Sequence, residues 1–124
     1  MSNTVLIADD AEFMRVMLRD ILSDMGLEVV GEAGDGRKAL DLYRRCKPDL
    51  VALDLTMPKM DGLAALRKIL AEDPLARVVA ITALGQKEKV IAAIQAGARD
   101  FIVKPFEYER VQATIGRLLA KAVA

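Results

Sequence analysis

The sequence has no histidine, no tryptophan and one cysteine, Cys46, in 124 residues. Without histidine there is no imidazole base and no histidine metal ligand, so any phosphohistidine in its chemistry belongs to a partner. One cysteine excludes an internal disulfide and fits a reducing compartment; Cys46 reads as a small helix residue. Charge of neither sign dominates. Lys plus Arg and Asp plus Glu number 18 each, so no overall field favours nucleic acid or anionic lipid, and no like-charge run forms a tail. No apolar stretch approaches the roughly 18 residues a membrane helix needs. Met1-Ser2-Asn3-Thr4 lacks the basic start of a signal peptide. The expectation is a cytoplasmic domain with neither nucleic acid nor membrane as partner.

What the chain has in quantity is apolar residues, 53% of the total, enough for the core of one domain spanning residues 1–124. They fall in a five-fold alternation of strand and helix. The apolar runs 5–9, 28–33, 50–54, 78–82 and 100–103 read as strands, the second at an edge because of Glu28 and Glu32. Helices are expected at 12–25, 37–46, 63–71, 87–96 and 107–121. In the first, Phe13, Met17, Leu18, Ile21, Leu22 and Met25 recur at three- and four-residue steps. Gly26 and Gly97 stand where left-handed helix ends are wanted. Asp35-Gly36 and Asp61-Gly62 open helices, and the last helix runs almost to Ala124, leaving no room for an output domain. Such alternation gives an α/β fold, a doubly wound parallel sheet covered on both faces, with right-handed crossovers.

Five polar residues close these runs. Asp9 and Asp10 follow the first strand, Asp54 ends the third, Thr82 the fourth and Lys104 the fifth, before Pro105. Each has an ordinary reading alone: helix cap, turn residue, β-branched strand residue, strand terminator. Together they share the carboxyl edge of one sheet, where open α/β folds bind ligands. Asp9, Asp10 and Asp54 would repel by roughly 1–4 kcal/mol per pair at about 4 Å. Mg²⁺, which takes oxygen ligands and typically one or two carboxylates plus phosphate oxygens, offsets that repulsion. Asp54 is the candidate nucleophile for an aspartyl phosphate. Mg²⁺, the Lys104 ammonium and the Thr82 hydroxyl each suit one phosphoryl oxygen.

The sequence resembles the receiver domain of two-component response regulators over essentially its whole length. The resemblance rests on Val5-Leu6-Ile7-Ala8-Asp9-Asp10, on Asp54-Leu55-Thr56-Met57-Pro58-Lys59-Met60-Asp61-Gly62, on Thr82-Ala83, on Ala96-Gly97-Ala98 and on Lys104-Pro105-Phe106. It implies a five-stranded, flavodoxin-like (βα)5 fold of strand order 2-1-3-4-5. That order is a standard example of the doubly wound class and comes with the resemblance. The resemblance makes Asp54 the phosphoacceptor. It assigns Mg²⁺ to Asp10 and Asp54 directly, to Asp9 through water and to Thr56 through its backbone carbonyl. Lys104 would pair with the phosphoryl group, and the Lys104–Pro105 bond would be cis. Thr82 and Phe101 take the hydroxyl and aromatic switch positions, the phenyl ring replacing a tyrosine and leaving packing alone to couple it. Thr56 and Leu84 flank the path of the attacking water.

Within the family, Gly85-Gln86 to Phe106, the start Phe13-Met14-Arg15 and the lack of an output domain are most similar to stand-alone chemotaxis regulators. The implied partners are a CheA-like sensor histidine kinase, a downstream protein such as the flagellar motor switch, and a phosphatase. Lys87, Glu88, Lys89 and Gln95 on the fourth helix, with Tyr108 on the same face, are candidates for the partner surface. The expected protein is no enzyme beyond its own phosphorylation and dephosphorylation. A phosphorelay shuttle or phosphate sink without motor output is the alternative. A haloacid-dehalogenase-type phosphatase wants an acid where Thr56 stands. A flavodoxin-like electron carrier wants phosphate donors where the first loop is acidic.

Overall fold

Every apolar run becomes a strand. The computed structural model describes residues 3–123, with side chains through residue 120. The expectations for the start of the chain at Met1-Ser2 and its end at Ala124 lie outside those residues. Among the described residues five strands alternate with five helices: β1 (Thr4–Ala8), α1 (Glu12–Asp24), β2 (Glu28–Ala33), α2 (Gly36–Cys46), β3 (Leu50–Asp54), α3 (Gly62–Glu72), β4 (Val78–Ala83), α4 (Lys87–Ala96), β5 (Asp100–Lys104) and α5 (Tyr108–Val123). The sheet is parallel, in the order β2-β1-β3-β4-β5. The Glu-bearing β2 is an edge strand, as its composition implies.

Side chains alternate across the sheet. Leu6, Val51, Leu53 and Ala80 face one side, with Ala39, Leu40, Leu66 and Ile69 of α2 and α3. Val5, Ile7, Ala52, Val79 and Ile81 face the other, with Leu18 and Leu22 of α1 and Val111 and Ile115 of α5. Leu6, Ile7, Leu53 and Ile81 are wholly buried, each stabilising by about 1.5–3 kcal/mol relative to exposure. Two-sided burial explains why β1, β3 and β4 are continuously apolar rather than alternating.

Two helix starts are fixed by side chains. Asp35 accepts from Lys38 N at 2.8 Å and Asp61 from Ala64 N at 2.8 Å, capping α2 and α3. Gly26 and Gly97 follow α1 and α4 at φ 81° and 118°. The Lys104–Pro105 peptide is cis.

Register brings the polar strand ends level. Ala8 pairs with Leu53, Asp54 with Ile81, and Ala83 with Lys104. Asp9, one residue past Ala8, therefore lies beside Asp54, and Thr82 one residue past the strand partner of Asp54. The start of α3 packs directly on this edge: a Cβ at Gly62 would stand 1.9 Å from Asp54 O and 2.6 Å from Leu55 Cα. Neither backbone atom can yield cheaply. Gly62→Ala is expected to lower stability by about 3 kcal/mol or more, measured as a fall in the urea midpoint.

Candidate functional site

The loop after β1 and the end of β3 carry the carboxylates, and burial makes two of them costly. Asp9 and Asp54 are buried, at 1% and 4% exposure, whereas Asp10 is exposed. Carboxylate oxygens of Asp9, Asp10 and Asp54 lie within 4.8 Å of one another. The Lys104 ammonium bridges two of them, 2.7 Å from Asp9 Oδ2 and 3.1 Å from Asp54 Oδ2. Asp54 Oδ1 accepts the Thr56 N–H at 3.0 Å. Asp9 Oδ1 accepts the Ala11 N–H at 3.0 Å, bracing its own loop. Asp9 Oδ2 has the Lys104 ion pair but, among the described residues, no hydrogen bond of good geometry. Neither aspartate caps α1, whose N-cap is Ala11. Both are left to the pocket.

Burial pushes the Asp54 carboxyl above its ordinary pKa. The Thr56 N–H and Lys104 pull it down without cancelling the rise, and the Asp9 charge adds to it. For Lys104 burial pulls downward, but its bonds to Asp9 and Asp54 outweigh this and hold the ammonium charged. Three carboxylates against one ammonium leave the pocket electron-rich. Its ligand atoms are all oxygens, and one buried carboxylate oxygen, Asp9 Oδ2, has the Lys104 ammonium beside it but no hydrogen bond of good geometry. That set fits a hard divalent cation bound through Asp9, Asp10 and Asp54.

Thr82 is buried at the expected level, and its hydroxyl donates to Gln86 Oε1 at 2.9 Å rather than to the carboxylates. A buried hydroxyl needs a partner, and Gln86 supplies one. Gln86 also accepts from Ala83 N at 3.2 Å, and its amide reaches Thr56 Oγ1 at 3.4 Å. Lys89, a candidate for the partner surface, is exposed and donates to Thr56 Oγ1 at 2.8 Å, so that it leans over the rim of the site. Lys87, Glu88 and Gln95 are exposed. Tyr108 is exposed, but its hydroxyl donates to Asp24 at 2.8 Å, which turns it towards the end of α1 rather than towards α4. Phe101 points outward, 42% exposed, and borders with Thr82 and Val90 a groove of about 210 Å³. Leu84 is largely exposed, along that groove and beside Lys104 and Pro105.

Residue patterns missed two further contributors. Arg15 donates to Asp9 O at 2.7 Å and pairs with Glu32 at 3.3 Å, and Arg19 pairs with Glu32 at 2.7 Å. Arg15 thus clamps the backbone of the acidic loop. The second is Gln86. No spacing rule marks either one. The only signal for Arg15 was its place one turn into α1 beside the Asp pair.

Comparison with known proteins agrees with this architecture. Residues 5–116 match the response regulator receiver domain model. The chain is 49% identical to the chemotaxis protein CheY of Thermotoga maritima over 95% of this chain and 98% of that protein. It is 51% identical to CheY of Bacillus subtilis over 96% and 99%. Its fold superposes on CheY in the CheX–CheY–BeF3–Mg²⁺ complex of Borrelia burgdorferi with a TM-score of 0.86, at 35% identity over 98% of this chain and 90% of that one. The chain belongs to the response regulator receiver family and is a CheY-like receiver domain.

Charge crowding sets the behaviour of the metal-free pocket. Removing one of three mutually repelling carboxylates, Asp10→Ala is expected to raise the melting temperature of the metal-free protein by a few degrees. The same change should weaken Mg²⁺ binding at least about tenfold, since it removes one of the three carboxylates that could hold the ion. Calorimetric melting and a Mg²⁺ titration check the two halves separately.

Proposed function

We propose that this receiver domain takes a phosphoryl group from the phosphohistidine of a sensor kinase onto Asp54. In that step an Asp54 carboxylate oxygen forms a bond to phosphorus as the phosphorus–nitrogen bond of the donor imidazole breaks. The observation that carries the reading is the convergence of Asp9, Asp10 and Lys104 on Asp54, with carboxylate oxygens within 4.8 Å and the ammonium 3.1 Å from Asp54. Asp9, Asp10, Asp54 and the Thr56 carbonyl would hold Mg²⁺, which neutralises charge on the phosphoryl oxygens. Lys104 pairs with a further oxygen and Thr82 offers its hydroxyl to another. Transfer is then mostly positioning and electrostatics. The protein acts on itself, by phosphorylation and autodephosphorylation, and not on a metabolite.

The phosphoryl adds about −1.5 to −2 charges. Movement of Thr82 towards it frees space behind β4, and Phe101 turns from solvent into the groove it borders. The output is a changed protein surface along α4, β5 and α5. The chemotaxis relatives favour a CheA-like kinase as donor, the flagellar motor switch as target, and a phosphatase to end the signal. No helix among the described residues is long and apolar enough to cross a membrane, which is compatible with a cytoplasmic site of action. Asp54→Asn keeps the shape and removes the nucleophile. It is expected to fold normally and to take no hydroxylamine-labile label from acetyl phosphate. Labelling at the wild-type rate would assign the acceptor elsewhere.

Thr56 and Leu84 are the positions proposed to control water. Leu84 offers no acceptor to orient an attacking water, and the short Thr56 hydroxyl already accepts from Lys89 and Gln86; orientation is a large part of phosphoryl-transfer catalysis. Thr56→Asn and Leu84→Glu are each expected to speed autodephosphorylation several-fold, followed as phosphate release. Leu84→Glu without effect would mean that its exposed side chain stays clear of the water path.

A further inference from the structure

We propose that Gln86 is a positioning residue for the phosphoryl reaction, holding the Thr82 hydroxyl away from Asp54 until a phosphoryl group outbids it. This rests on Asp54 being the acceptor. A threonine hydroxyl has one proton to donate. Here that proton goes to Gln86 Oε1 at 2.9 Å, with Ala83 O a poorer acceptor at 3.2 Å. Thr82 lies one residue past Ile81, the strand partner of Asp54. It is therefore the hydroxyl placed to serve a group on that carboxylate, yet it cannot donate to Gln86 and to a phosphoryl oxygen at once. The two acceptors compete for the same proton.

The competition has a direction. A bond from a hydroxyl to a charged oxygen is roughly twice as strong as one to a neutral amide oxygen, so the phosphoryl group wins, but only by the difference. Gln86 thereby sets how strongly phosphorylation must pull.

The same side chain ties the result to α4. Gln86 is the N-cap residue of α4 but makes no capping bond of its own. Its oxygen is spent on Thr82 and Ala83, and its amide on Thr56 Oγ1. Thr56 is also held by Lys89 of α4 and donates its N–H to Asp54. One amide group therefore connects the switch hydroxyl, the rim of the Asp54 pocket and the N-cap of the helix. Loss of Thr82 as a partner releases the Gln86 oxygen, which is then free to accept from the first turn of α4.

The test uses beryllofluoride, a stand-in for the phosphoryl group, titrated at fixed Mg²⁺ and followed by ¹⁹F NMR of the bound species. Wild type, Gln86→Met, Thr82→Ala and the double variant form a cycle. Methionine keeps the length of glutamine and removes the acceptor. Gln86→Met is expected to bind beryllofluoride roughly twofold to tenfold more tightly, the range set by one net hydrogen bond. In the Thr82→Ala background the gain should vanish, which a merely structural role for Gln86 would not produce. Unchanged or weaker binding by Gln86→Met overturns the proposal, and so does an equal gain with Thr82 absent. Wild type that binds no beryllofluoride, or Asp54→Asn that binds it equally well, overturns the Asp54 reading itself. Normal wild-type binding without a Gln86 effect overturns the role of Gln86 alone.

Discussion

The Lys104 ammonium, 2.7 Å from Asp9 and 3.1 Å from Asp54, is the contact on which the carboxyl edge of the sheet depends. Two buried carboxylates side by side would each carry a desolvation penalty of several kcal/mol without a counter-charge. The fold supplies that charge from a distance. β5 is separated from β3 by β4, two strand spacings or about 9.6 Å. A lysine stem is long enough to cross most of that gap, and the aspartates meet it. The constraint runs backwards into the fold: β5 must end where β1 and β3 end, and the register of Ala83 with Lys104 and of Ala8 with Leu53 brings this about.

One ammonium does not balance three carboxylates, and the imbalance is itself functional. The pocket is held in an electrostatically unfavourable state by a core that contributes far more than the pocket costs. The raised pKa of Asp54 is the local sign of that cost: its charged form is destabilised by burial and by Asp9. A cation that binds the folded pocket and not the unfolded chain adds stability in proportion to the logarithm of its concentration over its dissociation constant. Affinity for a hard cation and strain in its absence are therefore two descriptions of the same charge arrangement.

The fold was legible because its determinants are local. Runs such as Val5-Leu6-Ile7-Ala8 and Leu50-Val51-Ala52-Leu53 mark strands, and glycines at 26 and 97 mark helix ends. Asp9, Asp10 and Asp54 were legible for the same reason: position at a strand end fixes where a short side chain must be, and the parallel sheet aligns the ends, with Lys104 at the level end of β5 within reach of them. The direction of the Thr82 hydroxyl was not legible. Its buried position follows from β4, but its partner is set by a loop glutamine four residues away. Arg15, Lys89 and Tyr108 reach their partners over several rotatable bonds. Helical periodicity says which face such a residue occupies and not which acceptor it finds. Residue patterns thus locate the polar groups of the cluster and miss the hydrogen bonds that orient them.

Those bonds are distributed unevenly, and the unevenness bears on how a change at Asp54 travels. On the β1 side the acidic loop is clamped by charge-assisted contacts, Arg15 to Asp9 O at 2.7 Å and Arg19 to Glu32 at 2.7 Å. On the β4 side the Thr82–Gln86–Thr56 chain is neutral, with bonds of 2.9 and 3.4 Å, the longer near the weak limit of hydrogen-bond geometry, and its one charged contact is Lys89 on the Thr56 hydroxyl. The apolar side chains Leu84, Ile91, Ile94 and Phe101 beyond it are exposed rather than packed. Charge arriving on Asp54 acts on both sides, but displacement follows the side that yields at lower energy. On the proposed reading, the clamped side would keep the carboxylates that hold the cation in place while the looser side moves, so that binding chemistry and motion fall on opposite flanks of one strand.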